Sequence, residues 1–208
     1  MKIIKLTAKN SQAVIKQAVA MLAAGKILVY PTETFYGLGC AASDGKAIRK
    51  IYRIKGREKN KALPFLLADM KMAGKYLKFK PDARKLAKKH WPGPLSLVLP
   101  ATAAGKKLFG IKEAGVRVSS NKFATSLVKA LGQPLVSTSA NLSGRPAAAT
   151  AVQAIGYFNC RRYKPDLVID AGRLKKSKGS TFVSLIGKQP KVLREGDINL
   201  KIQGHKIQ

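Results

Sequence analysis

The sequence contains few of the residues that metal centres and hydrolytic triads require. Its 208 residues include two cysteines, two histidines and ten acidic side chains. His90 and His205 as the sole histidines argue against a Ser-His-Asp triad or a zinc hydrolase, and ten carboxylates argue against a two-metal site. Cys40 and Cys160 are too few and too distant for a metal knuckle or a disulfide framework, which indicates a reducing compartment. We expect both cysteines to be core thiols.

Long apolar runs and the common phosphate-loop signatures are also missing from the sequence. Residues 1–6 lack the apolar run of a signal peptide, and no stretch approaches the length of a membrane span. We therefore expect a soluble, cytoplasmic protein without a membrane partner. The motif G-x-x-x-x-G-K-[ST] does not occur, and the GLG at residues 37–39 lacks the third glycine of G-x-G-x-x-G.

Negative charge is scarce, whereas positive charge is abundant. Forty Lys and Arg residues against ten Asp and Glu give a formal net charge of +30 and a pI near 10.5. An excess of this size creates a positive field that attracts polyanions, so RNA, DNA or nucleotides are the expected partners. Lysines that only coat solvated faces are the alternative interpretation. Few aromatic residues lie among the basic residues of segment 46–89, which argues against a base-stacking single-strand platform.

Apolar segments of strand length and of helix length alternate through most of the chain. The patterns predict strands at 3–6, 27–30, 63–68, 95–99, 115–119, 134–138, 167–170, 181–186 and 192–193. They predict helices at 11–24, 44–55, 69–77, 81–90, 121–131 and 150–159, and a basic loop at 105–110. The alternation predicts a single α/β (α+β) domain over residues 1–208, with its core between about 7 and 200, built on a mixed, twisted, open sheet flanked by helices.

Polar and basic side chains follow the ends of several predicted strands. The apolar run 27–30 leads into PTETFYGLG at 31–39, which contains two Thr hydroxyls, a carboxylate and two glycines. Open α/β sheets place their sites at such strand ends, although a tight turn satisfied by its own Thr and Glu is equally consistent. Comparable side chains recur at Lys55, Arg57, Arg117, Ser137, Ser139, Asn141, Ser180, Thr181 and Arg194. Hydroxyls, an amide and arginines bind phosphate and carboxylate oxygens, so the set predicts a nucleotide site.

Six segments, in order along nearly the whole chain, resemble the motifs of the YrdC/Sua5 family. They are YPTETFYGLG at 30–39, KGR at 55–57, WPGPLSLVL at 91–99, VRV at 116–118, SANLSG at 139–144 and LREG at 193–196. The K-x-R and S-x-N pairs together with P-T-E-T are specific to that family. The chain length resembles the short, single-domain TsaC (YrdC) type, which lacks the additional C-terminal domain of the Sua5 members.

The resemblance implies a fold and an activity. The fold is a twisted open α/β sheet around a positively charged concave cavity. The activity is L-threonylcarbamoyladenylate synthase, a nucleotidyltransferase that converts L-threonine, bicarbonate and ATP to threonylcarbamoyl-AMP and pyrophosphate. Downstream transfer proteins then move the threonylcarbamoyl group to adenosine 37 of tRNAs that read ANN codons, forming N6-threonylcarbamoyladenosine. The implied partners therefore include tRNA or another RNA.

The resemblance also implies roles for individual residues. The catalytic set is Lys55, Arg57, Ser139 and Asn141, and the ATP-binding set is Arg57, Ser137, Ser139, Asn141 and Arg194. L-threonine is assigned to Thr32 or Thr34, to Arg117, and to Ser180 or Thr181. Since the nucleophile is the carboxylate of N-carboxythreonine, the protein needs to supply mainly positioning and charge stabilisation at the α-phosphate. Any Mg²⁺ is expected to arrive on the ATP phosphates, without a dedicated protein site.

Structural alternatives exist for each part of this set. Lys55 and Arg57 are also consistent with a solvated helix end, Arg117 with an ion pair to a neighbouring acid, and residues 139–141 with a helix-capping turn. The competing functions are an RNA-binding or ribosome-assembly protein of the same fold, and a YciO-type paralogue without full synthase activity. Many family members place a proline directly after the arginine of K-x-R, whereas this chain continues with EKNKALP at 58–64, so contacts from the 58–62 loop stay open.

Overall fold

Ten strands form one mixed, open sheet in the described part of the chain. The computed structural model describes residues 1–187 and 189–200, together with the backbone of 202–203 and 206–207, and His205 lies outside these residues. The strands are β1 (Lys2–Lys5), β2 (Leu28–Tyr30), β3 (Gly37–Ala41), β4 (Phe65–Leu67), β5 (Leu95–Pro100), β6 (Glu113–Val118), β7 (Leu135–Ser139), β8 (Leu167–Asp170), β9 (Thr181–Ser184) and β10 (Lys191–Arg194). Two further short strands, β11 (Ile202–Gln203) and β12 (Lys206–Ile207), pair only with each other.

The order of strands across the sheet brings distant parts of the sequence together. It runs β1-β8-β2-β3-β7-β4-β6-β5-β9-β10. Strand β7 lies antiparallel to both β3 and β4, and β9 lies parallel to β5. As a result the loop after β2, the ends of β6 and β7 and the start of β9 face a common region. The prediction of a mixed α/β sheet is confirmed.

Helices cover both faces of this sheet. Within the described residues they are α1 (Ser11–Ala23), α2 (Gly45–Lys55), α3 (Met70–Tyr76), α4 (Pro81–His90), α5 (Ala103–Phe109), α6 (Lys122–Leu131) and α7 (Ala151–Phe158). One core lies between the sheet and the pair α1 and α6, and the other between the sheet and the remaining helices. Strand β2 contributes to both cores. Leu28 and Tyr30 pack in the core with α1 and α6, and Val29 packs in the core on the other face of the sheet. No helix in the described residues combines the length and apolar character that a membrane crossing requires.

The predicted basic loop at 105–110 is wrong, because helix α5 occupies most of it. The side chain of Thr102 caps the helix by accepting a hydrogen bond from the Gly105 backbone N–H at 3.0 Å. Gly110 ends the helix in the left-handed region at φ +67°. The lysines of this segment hide the helical pattern, because only Gly105 and Phe109 are buried and Leu108 is partly buried against the core.

Two further expectations from the sequence need correction. Strand β3, at Gly37–Ala41, is absent from the predicted strands, because its two glycines are typical of a loop, yet all five of its residues are buried. Cys40 is a core thiol as expected, and its burial raises the pKa of the thiol far above the usual range. Cys160 is exposed, because it follows the end of α7 at the surface, so its assignment as a core thiol is wrong.

Candidate functional site

A cavity of about 410 Å³ opens at the region where these segments meet. Its size is that of a site for a small-molecule ligand. Eight of the residues proposed from the sequence line it: Thr32, Thr34, Arg57, Arg117, Ser137, Ser139, Ser180 and Arg194. Lys55 and Asn141 line an adjoining cavity of about 210 Å³, which shares Arg57 and Ser139 with the first. Thr181 lines neither, because its hydroxyl is bonded to the backbone of Ile198 at 2.7 and 3.1 Å.

The loop after β2 is held in place by Thr32. The Thr32 hydroxyl donates to the Phe35 carbonyl at 2.6 Å and accepts from the backbone N–H groups of Thr34 and Phe35. This is the tight-turn interpretation of the sequence, with a Thr side chain satisfying local backbone groups. The Thr34 hydroxyl lies 3.1 Å from that of Thr32 and 3.4 Å from Nη1 of Arg117. The turn therefore presents Thr34 to the arginine.

A buried ion pair joins this loop to strand β6. Nη1 of Arg117 donates to one carboxylate oxygen of Glu33, and the Ser119 hydroxyl donates to the other. The two charged side chains are 10% and 13% exposed, so water screens their attraction little. Arg117 pairs with a neighbouring acid, as one alternative had it, and it also lines the cavity. Glu33 is thereby the group that orients Arg117.

On the opposite wall, Ser180 is held by two donors. The Ser96 hydroxyl donates to its oxygen at 3.1 Å, and Nη2 of Arg194 donates to the same oxygen at 2.9 Å. Arg194 also donates through Nε and Nη2 to the Ser180 carbonyl at 3.2 and 2.7 Å, while its guanidinium lies 4.6 Å from the centre of the Phe182 ring. Burial, and secondarily the charge of Arg117, lowers the pKa of Arg194. Two hydrogen bonds accepted by Ser180 leave its own O–H as a donor.

Ser137 is oriented by a hydrogen bond from Tyr30. The fully buried Tyr30 hydroxyl donates to the Ser137 oxygen at 2.6 Å, and burial raises the pKa of Tyr30 well above its usual range. Gly37 and Gly39 allow this arrangement, because a Cβ at either would lie within 3.0 to 3.1 Å of the Tyr30 ring. The two glycines of the GLG segment thus accommodate the buried ring of Tyr30. The Ser137 O–H stays available to a ligand in the cavity.

Lys55 is the centre of a second buried network. Its ammonium donates to the carbonyls of Ser139 and Asn141 at 2.5 and 2.8 Å, and to the Asn141 side-chain oxygen at 3.0 Å. An ammonium has three donors, and these three bonds match them. Burial, with a smaller effect of the Arg57 charge, lowers the pKa of Lys55 to about 7. Lys55 is 3% exposed and therefore is not the solvated helix end of the alternative interpretation.

The same network fixes the segment after β7. The Ser139 hydroxyl donates to the Asn141 side-chain oxygen at 2.7 Å, and the Asn141 amide donates to the Arg145 carbonyl. Helix α7 starts only at residue 151, under a capping box of Thr150 and Gln153, so residues 139–141 are not a helix-capping turn. The segment instead connects the two cavities, with Ser139 facing both.

Arg57 anchors the 58–62 loop whose contacts the sequence left open. Helix α2 ends at Lys55, and Gly56 adopts a left-handed conformation at φ +59°, which turns the chain so that Arg57 faces the cavity. Nε and Nη2 of Arg57 donate to the carbonyls of Lys61 and Ala62, both at 3.1 Å. The loop therefore braces the guanidinium from behind.

Several residues of the site were missed from the sequence. Ser96 is 2% exposed and lines the cavity, and its signal was a lone hydroxyl in the apolar run of β5. Lys178 and Phe182 also line it, and neither belongs to a motif that distinguishes it from surface or core. No group of three or more His, Cys, Asp or Glu side chains arranged to hold a metal ion occurs among the described residues.

Comparisons with known proteins connect this geometry to a family. The Sua5/YciO/YrdC family model, described as "Telomere recombination", matches residues 20–196. A threonylcarbamoyl-AMP synthase of Pyrococcus abyssi is 33% identical over 190 residues, which cover 90% of this chain and 55% of that protein. A threonylcarbamoyl-AMP synthase of Thiobacillus denitrificans is 35% identical over 165 residues, covering 73% of this chain and 87% of that protein.

A solved structure also matches. The crystal structure of P. abyssi Sua5 complexed with L-threonine has a TM-score of 0.85 at 32% identity, covering 94% of this chain and 58% of that chain. The chain thus spans little more than half the length of the Pyrococcus proteins that it matches.

Proposed function

The chain belongs to the Sua5/YciO/YrdC family, and we propose that it synthesises threonylcarbamoyl-AMP from L-threonine, bicarbonate and ATP. The observation that carries the proposal is the convergence of eight polar residues from six separate chain segments on one cavity of about 410 Å³. The reaction is that of the threonylcarbamoyl-AMP synthases to which the chain is similar, and the cavity is where we place it. In reaction class the protein is then a nucleotidyltransferase.

We assign the threonine to Thr34 and Arg117 on one wall of the cavity and to Ser180 on the opposite wall. Glu33 and Thr34 both contact Nη1 of Arg117, so its remaining N–H groups are the donors for the amino-acid carboxylate. Thr34 is a better ligand than Thr32, whose hydroxyl proton is used on the Phe35 carbonyl. Ser180 is a better ligand than Thr181, whose side chain lies outside the cavity.

We assign the nucleotide phosphates to Arg57, Arg194 and Ser137, and to Ser139 once its O–H turns from the Asn141 side-chain oxygen to the ligand. Both arginines use Nε and Nη2 for bonds within the protein, and the rest of each guanidinium is left for anionic oxygens. Groups held in this way need little rearrangement when charge develops at the α-phosphate. Any Mg²⁺ would be held by the ATP phosphates and would neutralise part of their charge.

Lys55 and Asn141 act as positioning residues in this proposal. Their bonds to the 139–141 segment hold Ser139 towards both cavities, and the Lys55 charge adds positive potential behind it. In the reaction, the threonine amine and bicarbonate form a carbamate with loss of water. A carbamate oxygen then attacks the α-phosphorus, forming a P–O bond as the bond to pyrophosphate breaks. The nucleophile comes from the substrate, so no protein base is required at that step.

Pyrophosphate release, measured with each substrate omitted in turn, tests the proposal. We expect release only when threonine, bicarbonate and ATP are all present. Arg57→Ala should reduce the rate by about 100-fold or more, as expected for loss of a charge-stabilising donor. Arg57→Lys should also be impaired, since a lysine keeps the charge but loses the planar fork.

Arg53→Ala is the matched control, because Arg53 lies one turn earlier on α2, is exposed and does not line the cavity. Thermal unfolding of each variant should show that the fold is retained. Release that persists without threonine or without bicarbonate would refute the synthase assignment.

The downstream steps of the proposal follow from the product. A mixed carbamic–phosphoric anhydride is reactive, so we infer that transfer proteins receive the threonylcarbamoyl group and pass it to tRNA. We place this chemistry in the cytoplasm, where ATP and tRNA are available. A primary role in RNA binding or ribosome assembly is not favoured, because its sole motivation was net charge.

A further inference from the structure

The aromatic ring of Phe182 lines the cavity beside the polar side chains. Phe182 is partly buried, yet it is not among the residues that form the two hydrophobic cores or pack against them. A phenylalanine outside a core contributes less to folding than one that is fully buried. The position of Phe182 is therefore better explained by the groups that it contacts in the cavity.

The Arg194 guanidinium lies over the face of the Phe182 ring. Its Cζ is 4.6 Å from the ring centre, whereas the other cation–ring distances among the described residues are 5.3 to 5.9 Å. A cation at such a distance is attracted by the negative face of the ring. In the described part of the chain, this is the shortest contact of its kind.

A bulge in strand β10 brings the two side chains together. In the antiparallel pairing of β9 with β10, Val192 lies opposite Val183. The next pair is Arg194 with Phe182, which leaves Leu193 as an extra residue. Residues that lie opposite one another project from the same face of a sheet. The bulge therefore aims Arg194 at the ring, as bulges beside active sites commonly do.

The ring itself has a fixed place in the sheet. Strand β9 lies between β5 and β10, and Phe182 pairs with Ser96 on one side and with Arg194 on the other. On strand β6, Gly115 leaves space for the ring, since a Cβ there would lie 3.3 Å from Cε1 of Phe182. A side chain on a strand that is paired on both sides is a rigid support for a neighbouring group.

Arg194 needs such a support, because it is exposed on a strand at the edge of the sheet. A free arginine side chain has many rotamers, and ordering it costs entropy. Its Nε and Nη2 donate to the Ser180 carbonyl, and the N–H bonds of a guanidinium lie in its plane. These bonds fix one edge of the guanidinium, whereas a ring against its face limits tilt out of the plane.

We propose that Phe182 is a positioning residue for the nucleotide, whose ring holds the Arg194 guanidinium so that the N–H groups of Nη1 meet the phosphate oxygens of ATP. Nε and Nη2 are used within the protein, so Nη1 is the nitrogen left for the ligand. Phe182 acts through Arg194 and makes no bond to the phosphates itself. This role rests on the proposed function, because it takes Arg194 as a phosphate ligand.

The affinity for a non-hydrolysable ATP analogue, measured by isothermal titration calorimetry, tests the proposal without requiring turnover. Phe182→Leu keeps an apolar side chain but removes the ring face, so we expect binding to weaken by about fivefold or more. Phe79→Leu is the matched control. The Phe79 ring also lies beside a guanidinium, that of Arg84 at 5.9 Å, but it lines none of the described cavities.

The control also separates affinity from stability. Phe79 packs against a hydrophobic core, so Phe79→Leu should lower the thermal unfolding temperature more than Phe182→Leu does. We expect it nevertheless to bind the analogue like the unmodified protein. A loss of affinity in Phe182→Leu is then not a consequence of general destabilisation.

Two further measurements distinguish positioning from the shape of the cavity. When Arg194→Ala is already present, Phe182→Leu should change the affinity by less than about twofold, because the ring has no guanidinium to hold. Phenylalanines with one, two or three ring fluorines at position 182 keep the shape of the side chain but weaken the negative face of the ring. We expect the affinity to fall stepwise with the number of fluorines.

Four outcomes would overturn the proposal. The first is unchanged affinity in Phe182→Leu, and the second is an equal loss from this change with and without Arg194. The third is fluorinated rings that bind like phenylalanine, which would make the ring an apolar floor only. The fourth is no binding of the analogue by the unmodified protein. Pyrophosphate release tests the synthase assignment separately, since its absence would leave the dependence of affinity on the ring intact.

Discussion

At the scale of single residues, the polar side chains of the cavity are held mainly by one another. Glu33 accepts from Arg117 and Ser119, and Ser180 accepts from Arg194. A binding site whose donors are already fixed loses little freedom when its ligand arrives. The same arrangement makes the site sensitive to the loss of any one partner, because the other is left buried and unpaired.

Glu33→Ala tests this dependence. The change leaves the Arg117 guanidinium buried without its carboxylate, so we expect the free energy of unfolding to fall by about 3–5 kcal/mol. Urea denaturation followed by circular dichroism measures it. Glu58→Ala is the matched control: Glu58 also pairs with a basic residue, Lys61, but both side chains are more than half exposed, and we expect little change. Equal effects of the two substitutions would contradict a structural role for the buried pair.

Lys55 gives the site a pH dependence near neutrality. Burial lowers the pKa of Lys55 to about 7, so the ammonium is charged below this pH and loses its charge above it. The charged form attracts phosphates, and we therefore expect the affinity for a non-hydrolysable ATP analogue to weaken as pH rises through about 7. Binding should take up a proton from solution at and above that pH, because a bound polyanion favours the charged form.

Isothermal titration calorimetry in buffers of different ionisation enthalpy measures both effects. Lys55→Met should bind more weakly with a flatter pH profile. Lys61→Met, a change at an exposed lysine on the rim of the same small cavity, should keep the profile of the unmodified protein. A profile that is unchanged in Lys55→Met would contradict the assignment of this titration to Lys55.

Much of the residue-level site was predictable from the sequence, but not its internal bonding. The hydroxyl, amide and arginine residues that follow strand ends do converge, with Thr181 as the exception. The sequence did not distinguish Thr32 from Thr34, because alternation puts both on one side, whereas a turn bond to the Phe35 carbonyl separates them. The role of Glu33 depends on a strand more than 80 residues away, so local pattern could not predict its partner.

At the scale of elements, capping and amphipathic signals predicted the helices well. Helix α2, predicted at 44–55, lies at Gly45–Lys55, with Asp44 as its N-cap and Gly56 as its C-cap. Strand β3 was not predicted, because GLGCA has the glycine content of a loop. Its strand conformation comes from pairing with β2 and β7. Tertiary pairing of this kind overrides local propensity, which is weak for short strands.

Gly39→Ala tests the reason for glycine in β3. A Cβ at Gly39 would lie 2.3 Å from the Val136 carbonyl oxygen and 3.1 Å from the Tyr30 ring, so we expect a loss of stability of about 1–3 kcal/mol. Gly156→Ala is the control, because Gly156 lies within α7 with open space around it, and alanine there should stabilise by about 0.5–1 kcal/mol. Thermal unfolding measures both, and a neutral Gly39→Ala would contradict the close approach.

At the scale of the whole molecule, the fold explains where the cavity lies, whereas the cavity explains only part of the net charge. The mixed sheet brings the strand ends to one cavity through its order of strands. The sequence predicts the fold class of such a sheet, but it does not predict which strands pair. The net charge of +30 exceeds what a cavity with three arginines needs. A further part of that charge lies on the solvent side of α2, where Lys46, Arg49 and Arg53 are exposed.

The measurement that tests the central claim most directly is detection of the product. The protein is incubated with ATP, L-threonine and ¹³C-labelled bicarbonate, and the mixture is analysed at once by mass spectrometry. We predict an adduct of AMP and threonine that carries one ¹³C atom in its carbamoyl group, formed with an equal amount of pyrophosphate and reduced in Arg57→Ala. Formation of AMP or ADP alone, or an adduct without the label, would contradict the assignment.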